Sequence, residues 1–237
     1  MLGRPDGDGL ALLWAGEWAA AGRFARVLAP ALREALALLD AGVEAVARVA
    51  CVLGPGSFTG LRLVLAFAEG LAAAGGRTLA GLPYLPLVAA GPAGLVSGRV
   101  AVLTHSRRGQ VYFQAFESQG LRPLGTPEAL GLDAAAARIA GLAAPVVLAG
   151  SGLTRNHGFF AELAARRGCT LLGPEWERPG PEALLRAAAR AEYGPGPLVP
   201  IYLRGSDAEE NLAAVAAGRG LSEEDARAML GLVPPGK

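Results

Sequence analysis

The run from Leu53 to Leu71, LGPGSFTGLRLVLAFAEGL, holds the residues of this chain best suited to do chemistry. Gly54 and Gly56 admit backbone conformations barred to residues with side chains, so an apolar strand can turn there straight into a helix. The hydroxyl of Ser57 or Thr59 can cap that helix by accepting from its first free amides. Gly54, Pro55, Gly56, Ser57, Thr59 and Gly60 therefore make a loop of exposed amides able to hold a phosphate or a carboxylate. The plainer alternative is a tight strand-to-helix turn with no ligand. Arg62 falls in the first helical turn, where the helix dipole disfavours a cation. It points to an anionic partner: a ligand, a carboxylate in this chain or one on another protein. The helix also carries small residues, Ala66, Ala68, Gly70, Ala72 and Ala73, beside Leu61, Leu65, Phe67 and Leu71. That pattern fits a close helix–helix interface or packing inside the chain's own core.

Several chemistries lack their residues. No Lys follows the last glycine of the loop, so it is not a Walker A loop. Ser57 follows Gly56 directly, whereas a nucleophile elbow needs one residue between them. His105 and His157 stand alone, far from Ser57 in sequence, and no metal-ligand spacing is visible. Cys51 and Cys169 lie in apolar stretches and read as buried, reduced thiols. Neither a catalytic residue nor a metal site is expected.

The elements around the loop follow from periodicity. Leu10–Trp14 and Glu17–Ala20 read as a short hairpin across Ala15-Gly16. Phe24 to Leu39 is an amphipathic helix with apolar residues at spacings of three and four, closed near Gly42. Val46–Leu53 is a buried strand entering the loop, Leu61–Ala74 the helix leaving it, and Thr78–Leu82 a further strand. The second half has the same order. Val100–His105 and Gln110–Phe116 form a hairpin across Arg107-Arg108-Gly109, and Thr126-Pro127-Glu128 opens a helix. Val146–Ala149 is a strand before Gly150-Ser151-Gly152, Phe159–Arg167 a helix, Cys169–Leu172 a strand and Pro181–Glu192 a helix. Such an order suggests two similar α/β lobes; coincidence is the alternative, since α/β folds alternate these elements anyway. In the tail, Pro200–Arg204 is extended and Asp207–Ala217 helical. Ser222-Glu223-Glu224-Asp225 resembles a capping box opening a last helix before Pro234-Pro235.

The 237 residues are 52% hydrophobic and 18% charged, which reads as a folded globular chain. A net charge of +1 excludes a global field driving the protein onto nucleic acid or anionic lipid. The basic residues are all Arg except Lys237, which fits a GC-rich coding bias together with the abundant Ala, Gly and Pro. The uncharged stretch Ile139–Thr154 contains Pro145 and glycines and is too short to cross a bilayer. No basic flank, apolar run and cleavage site open the chain, so a cytoplasmic protein without a membrane partner is expected.

GPGSFTGLR, after an apolar strand and before a small-residue helix, closely resembles the hallmark of the TsaB (YeaZ) family. Arg107-Arg108-Gly109-Gln110-Val111-Tyr112 is similar to that family's R-x-G-E-V-Y turn, and Pro200-Ile201-Tyr202-Leu203-Arg204 to its P-x-Y-L-R. The resemblance implies an α/β fold of two similar lobes, of the actin-like ATPase (ribonuclease H-like) type. Residues 1–98 would form the first lobe, 99–204 the second and 205–237 a helical tail, with 205–220 completing the first lobe. It implies a non-catalytic dimerisation subunit of the complex that transfers threonylcarbamoyl to adenosine 37 of tRNA, a homodimer when alone. The implied partners are a TsaD-like catalytic subunit and a TsaE-like ATPase, with tRNA reached through the complex. No cofactor is implied for the lone chain, while ATP or ADP is expected at or near the heterodimer interface. The interface carried over comprises Leu61, Leu65, Ala68, Glu69 and Ala72 on the loop's helix, with Val27, Ala31 and Leu32 on the earlier one. One departure concerns the start: the family opens with an apolar strand leading to Asp-Thr, whereas this chain opens MLGRPDGDG. That weakens the alternative of a free-standing actin-like ATPase or kinase; Asp6 and Asp8 read as solvated loop residues. A peptidase, the third reading, lacks a nucleophile–base pair.

Overall fold

A computed structural model describes residues 1–18, 24–205, 212–222, 224–225 and 229. The chain opens with an antiparallel hairpin, β1 (Leu2–Asp6) and β2 (Gly9–Trp14), turned at Gly7. The expected strand Leu10–Trp14 is present and pairs with the segment before it, and Glu17 and Trp18 belong to no strand. Pro5 and the glycines that disguise β1 are tolerated because β1 is an edge strand. Residues 19 and 20 of the expected second strand lie outside the described residues.

Helix α1 (Phe24–Leu38) follows, then strand β3 (Arg48–Gly54), helix α2 (Phe58–Gly75) and strand β4 (Thr78–Pro83). Strands β3 and β4 pair in parallel, with Val49 opposite Leu79 and Val52 opposite Leu82. Leu65, Ala68 and Ala72 of α2 pack on Cys51 and Leu79 of this ladder. By length and composition α2 could span a membrane. The longer uncharged run Thr78–Gly98 cannot, because it is divided between β4 and helix α3 (Tyr84–Ala93) at Pro83.

The larger sheet has strand order β7-β6-β5-β8-β9, built from β5 (Arg99–Arg107), β6 (Gln110–Glu117), β7 (Glu128–Gly131), β8 (Val146–Ala149) and β9 (Thr170–Leu171). β5 and β6 form the expected hairpin, and β8 and β9 add in parallel. Helices α4 (Leu132–Ala140), α5 (Ser151–Arg155) and α6 (His157–Arg167) pack on this sheet, whereas α7 (Pro181–Arg190) packs on β2, β4 and α3. Side chains alternate across a strand, and both faces of this sheet are covered. Ala101 and Leu103 meet Ile139, Leu153 and Phe160 on one side, while Val100 and Val102 meet Leu85, Val88 and Ala89 of α3 on the other. That double burial explains the uninterrupted apolar run in β5.

The helix expected from Thr126-Pro127-Glu128 is corrected. Those residues lead into β7, and α4 begins at Leu132. Pairing with β6, with Glu128 opposite Phe113, outweighs the local helix-start signal. Glu128 still reaches the helix, accepting from Arg138 at 2.8 and 2.9 Å.

The order hairpin, helix, strand, helix, strand, helix occurs in both halves, with β7 added after the second hairpin and the second helix there divided into α5 and α6. The copies differ in their sheets: the second is five-stranded, and the first is two separate two-stranded ladders. Residues Met1–Leu203 form one compact unit, so the two lobes are not separate units. Arg204–Lys237 is a second unit. Within it α8 (Leu212–Ala217) is helical, while the expected helical residues 207–211 lie outside the described residues. The Asp225 amide donates to Ser222 Oγ at 3.0 Å, as a capping box requires.

Candidate functional site

The glycine loop joins β3 to α2, and its geometry follows from its residues. Gly54 has φ +103°, a conformation that side-chain-bearing residues rarely adopt. A Cβ there would lie 2.8 Å from Leu61 Cδ1 and 3.1 Å from the Ile201 carbonyl oxygen. Ser57 is the helix N-cap. Its Oγ accepts from the Gly60 amide at 3.3 Å, and its carbonyl accepts from Leu61 at 2.8 Å. Pro55 is buried, Gly56 and Gly60 are half-buried, and Ser57 and Thr59 are exposed. The capping role left open between Ser57 and Thr59 belongs to Ser57.

The loop does not stand alone, because the chain after Tyr193 folds back over it. Gly194 and Leu79 exchange backbone hydrogen bonds at 2.8 and 2.9 Å. The Leu198 amide donates to Glu69 Oε1 at 3.0 Å, and the Ile201 amide to the Leu53 carbonyl at 2.8 Å. Tyr202 stacks on Phe58 with ring centroids 4.8 Å apart, and its hydroxyl accepts from Arg62 Nε at 3.2 Å. The Arg62 guanidinium lies 4.0 Å above the Phe58 ring. GPGSFTGLR and the Pro200–Arg204 segment, nearly 140 residues apart, thus form one structure. Sequence reasoning missed the roles of Phe58, Tyr202 and Leu198; the shared aromatic character of Phe58 and Tyr202 was the available signal. Arg62 meets a phenol and a ring, with no carboxylate among the described residues.

The structure divides the residues expected at the interface. Leu65, Ala68 and Ala72 are 4%, 3% and 6% exposed and face the chain's own core, as does Ala31 on α1. Leu61 leans on the glycine loop, and Glu69 is committed to the Leu198 amide. Val27 and Leu32 are half-buried. The outward stripe of α2 is instead Arg62, Leu63, Ala66 and Gly70, flanked by half-buried Phe67; on α1, Leu38 is 71% exposed. The physical reason is phase: one helix buries a single stripe, and β3 and β4 take the one containing Leu65, Ala68 and Ala72.

Elsewhere, Gly150 (φ +112°) lets the turn after β8 approach β5, where a Cβ would meet the Leu103 carbonyl oxygen at 2.5 Å. The His105 amide donates to Ser151 Oγ at 3.0 Å. Burial, aided by the Arg155 charge, holds the His105 imidazole below its usual pKa. Burial pushes the Cys51 thiol up to about 11. No three His, Cys, Asp or Glu side chains gather as a metal site among the described residues. A groove of about 400 Å³ between α4 and α6, lined by Ala136, Ala137, Ala140, Leu163, Arg166 and Arg167, involves no loop residue.

The family model and solved structures that match this chain identify its duplicated α/β order as the actin-like ATPase fold. The family model of TsaD, tRNA N6-adenosine threonylcarbamoyltransferase, matches residues 19–155. Uncharacterized proteins of Mycobacterium tuberculosis and Mycobacterium bovis are 35% identical over 173 residues, spanning 73% of this chain and 70% of theirs. The solved structure of YeaZ from Pseudomonas aeruginosa is similar at TM-score 0.59 and 26% identity, over 76% of this chain and 84% of that one. A second Pseudomonas aeruginosa structure, described as an uncharacterized protein with similarity to peptidase YEAZ, has 27% identity at the same TM-score and coverage. The chain belongs to the TsaD family, as a TsaB/YeaZ-like member.

Proposed function

We propose that this chain acts in threonylcarbamoyl modification of adenosine 37 in tRNA, as the non-catalytic dimerisation subunit supporting a TsaD-type catalytic subunit. The observation that carries the reading is the outward face of α2. In a chain of this family, the glycine loop opens a helix whose exposed stripe, Leu63, Ala66 and Gly70 with Phe67 beside it, is apolar and finely stepped. Small residues on such a stripe let a second helix approach closely. The same surface serves a second copy of this chain when no partner is present. A TsaE-type ATPase joins the complex, ATP or ADP lies at or near the heterodimer interface, and tRNA is reached through the assembly in the cytoplasm.

The test is affinity capture of the tagged full-length chain from its native cytosol, with masses of the recovered complexes from light scattering. A defined complex with a TsaD-type subunit is expected. Capture of no such partner, with ATP turnover by the isolated chain, would replace this reading with a free-standing actin-like ATPase.

A further inference from the structure

Arg62 is a cation held in place by neutral groups. It is the fifth residue of the 18-residue helix α2, one turn past the N-cap Ser57 and not in the first turn that the sequence suggests. Phe58 covers the guanidinium face and the Tyr202 hydroxyl accepts a hydrogen bond from Nε, so the side chain is fixed without being neutralised. Its two Nη groups have no hydrogen-bond partner among the described residues. It is the only cation between Gly54 and Gly75, and the one acid there, Glu69, is occupied by Leu198. Ala66 and Gly70 follow Arg62 at i+4 and i+8, on the same outward stripe of α2.

We infer that Arg62 is a preorganised receptor for a carboxylate on the protein that docks against α2, with Phe58 and Tyr202 as its positioning residues. This rests on the subunit reading above. The Nη pair, without a partner among the described residues, forms a planar fork that matches a carboxylate in bidentate geometry. Rotamer entropy normally lost when an arginine is immobilised is already lost in the free chain, which lowers the cost of binding. A protein carboxylate fits better than an RNA phosphate. The surroundings along the stripe are apolar, and phosphate backbones are held by fields of cations that this segment lacks.

The experiment measures binding of the full-length chain to the TsaD-type subunit of the same organism by calorimetry at two salt concentrations. Arg62→Gln is expected to weaken binding on the order of 10- to 100-fold through faster dissociation, and to flatten its salt dependence. Tyr202→Phe, which keeps the ring stack and frees the guanidinium, is expected to weaken it by about 3- to 10-fold. Both variants should keep the wild-type unfolding transition, since Arg62 is exposed and Phe retains the ring. Arg62→Lys adds an amine to a chain whose one lysine is Lys237. Carbodiimide treatment of that complex should join position 62 to an Asp or Glu of the partner, identified by mass spectrometry. A wild-type chain that forms no complex overturns the subunit reading and this inference with it. A normal complex with undiminished Arg62→Gln binding overturns this inference alone. A normal Arg62→Lys complex with no such cross-link removes the carboxylate and favours a phosphate.

Discussion

Gly54 concentrates the strictest demand at the residue scale. Its φ of +103° and the 2.8 and 3.1 Å approaches of Leu61 and Ile201 exclude a side chain on both conformational and steric grounds. Gly54→Ala is expected to destabilise the protein by about 1–3 kcal/mol, read from denaturant unfolding. Gly70, by contrast, has open space where a Cβ would stand, so Gly70→Ala should be neutral or slightly stabilising. Cys51 supplies a pH-dependent test. Thiolate is the reactive form, and a thiol raised from 9.0 to about 11 is ionised at only about one part in a thousand at pH 8. Alkylation of Cys51 in the native protein should therefore be slow at neutral pH. It should rise roughly tenfold per pH unit up to about 11; a plateau near pH 9 would contradict the buried assignment.

At the scale of elements, α2 has two faces with different jobs, and substitutions on them should separate cleanly. Ala68→Leu forces volume into the contact with Cys51 and Leu79, and should cost about 1–3 kcal/mol of stability. Ala66→Asp sits on the exposed stripe and should leave the unfolding transition within about 0.5 kcal/mol while abolishing association through α2. Equal loss of stability by both variants would mean that the helix has no free face. The returning segment 194–203 acts as a strap across α2, and Glu69 is its middle fastening. Glu69→Ala leaves the Leu198 amide without its acceptor, at about 1–3 kcal/mol. Amide exchange should then accelerate at Leu198 and Ile201, with the β5–β6 hairpin unchanged.

Across the whole molecule, residues 1–203 are a single unit in spite of the duplicated order, and the strap, together with α7 packed on β2, ties its halves. Leu198 packs in the cluster on α2, and Leu203 packs in the cluster on α3 beneath the larger sheet. The helix α3 does the same from inside, covered by β5 and β6 and in contact with β3 and β4. Among the described residues, the core clusters built on the β3–β4 ladder and the larger sheet use none beyond Leu203, and Leu212 and Ala216 form one of their own. Ending the chain after Gly205 should accordingly leave one cooperative transition, with Tm within a few degrees of the full chain. Two transitions, or loss of folding, would show that the tail completes the first lobe.

The sequence by itself determined the strands β3, β5, β6 and β8, the helices α1, α2, α6 and α7, and the glycine loop, with its cap narrowed to Ser57 or Thr59. Each rests on local periodicity, or on residues whose backbone preference acts over a few positions. Family membership was legible for the same reason, since GPGSFTGLR encodes a local turn. Only the tertiary structure decided that β1 pairs with β2, that Glu128 belongs to a strand, and that Arg62 meets Tyr202. It also decided which stripe of α2 is free. A helix rich in Ala and Leu on every side offers several stripes for burial. The choice among them is made by the sheet it packs against and the strap that crosses it, at separations local patterns do not reach.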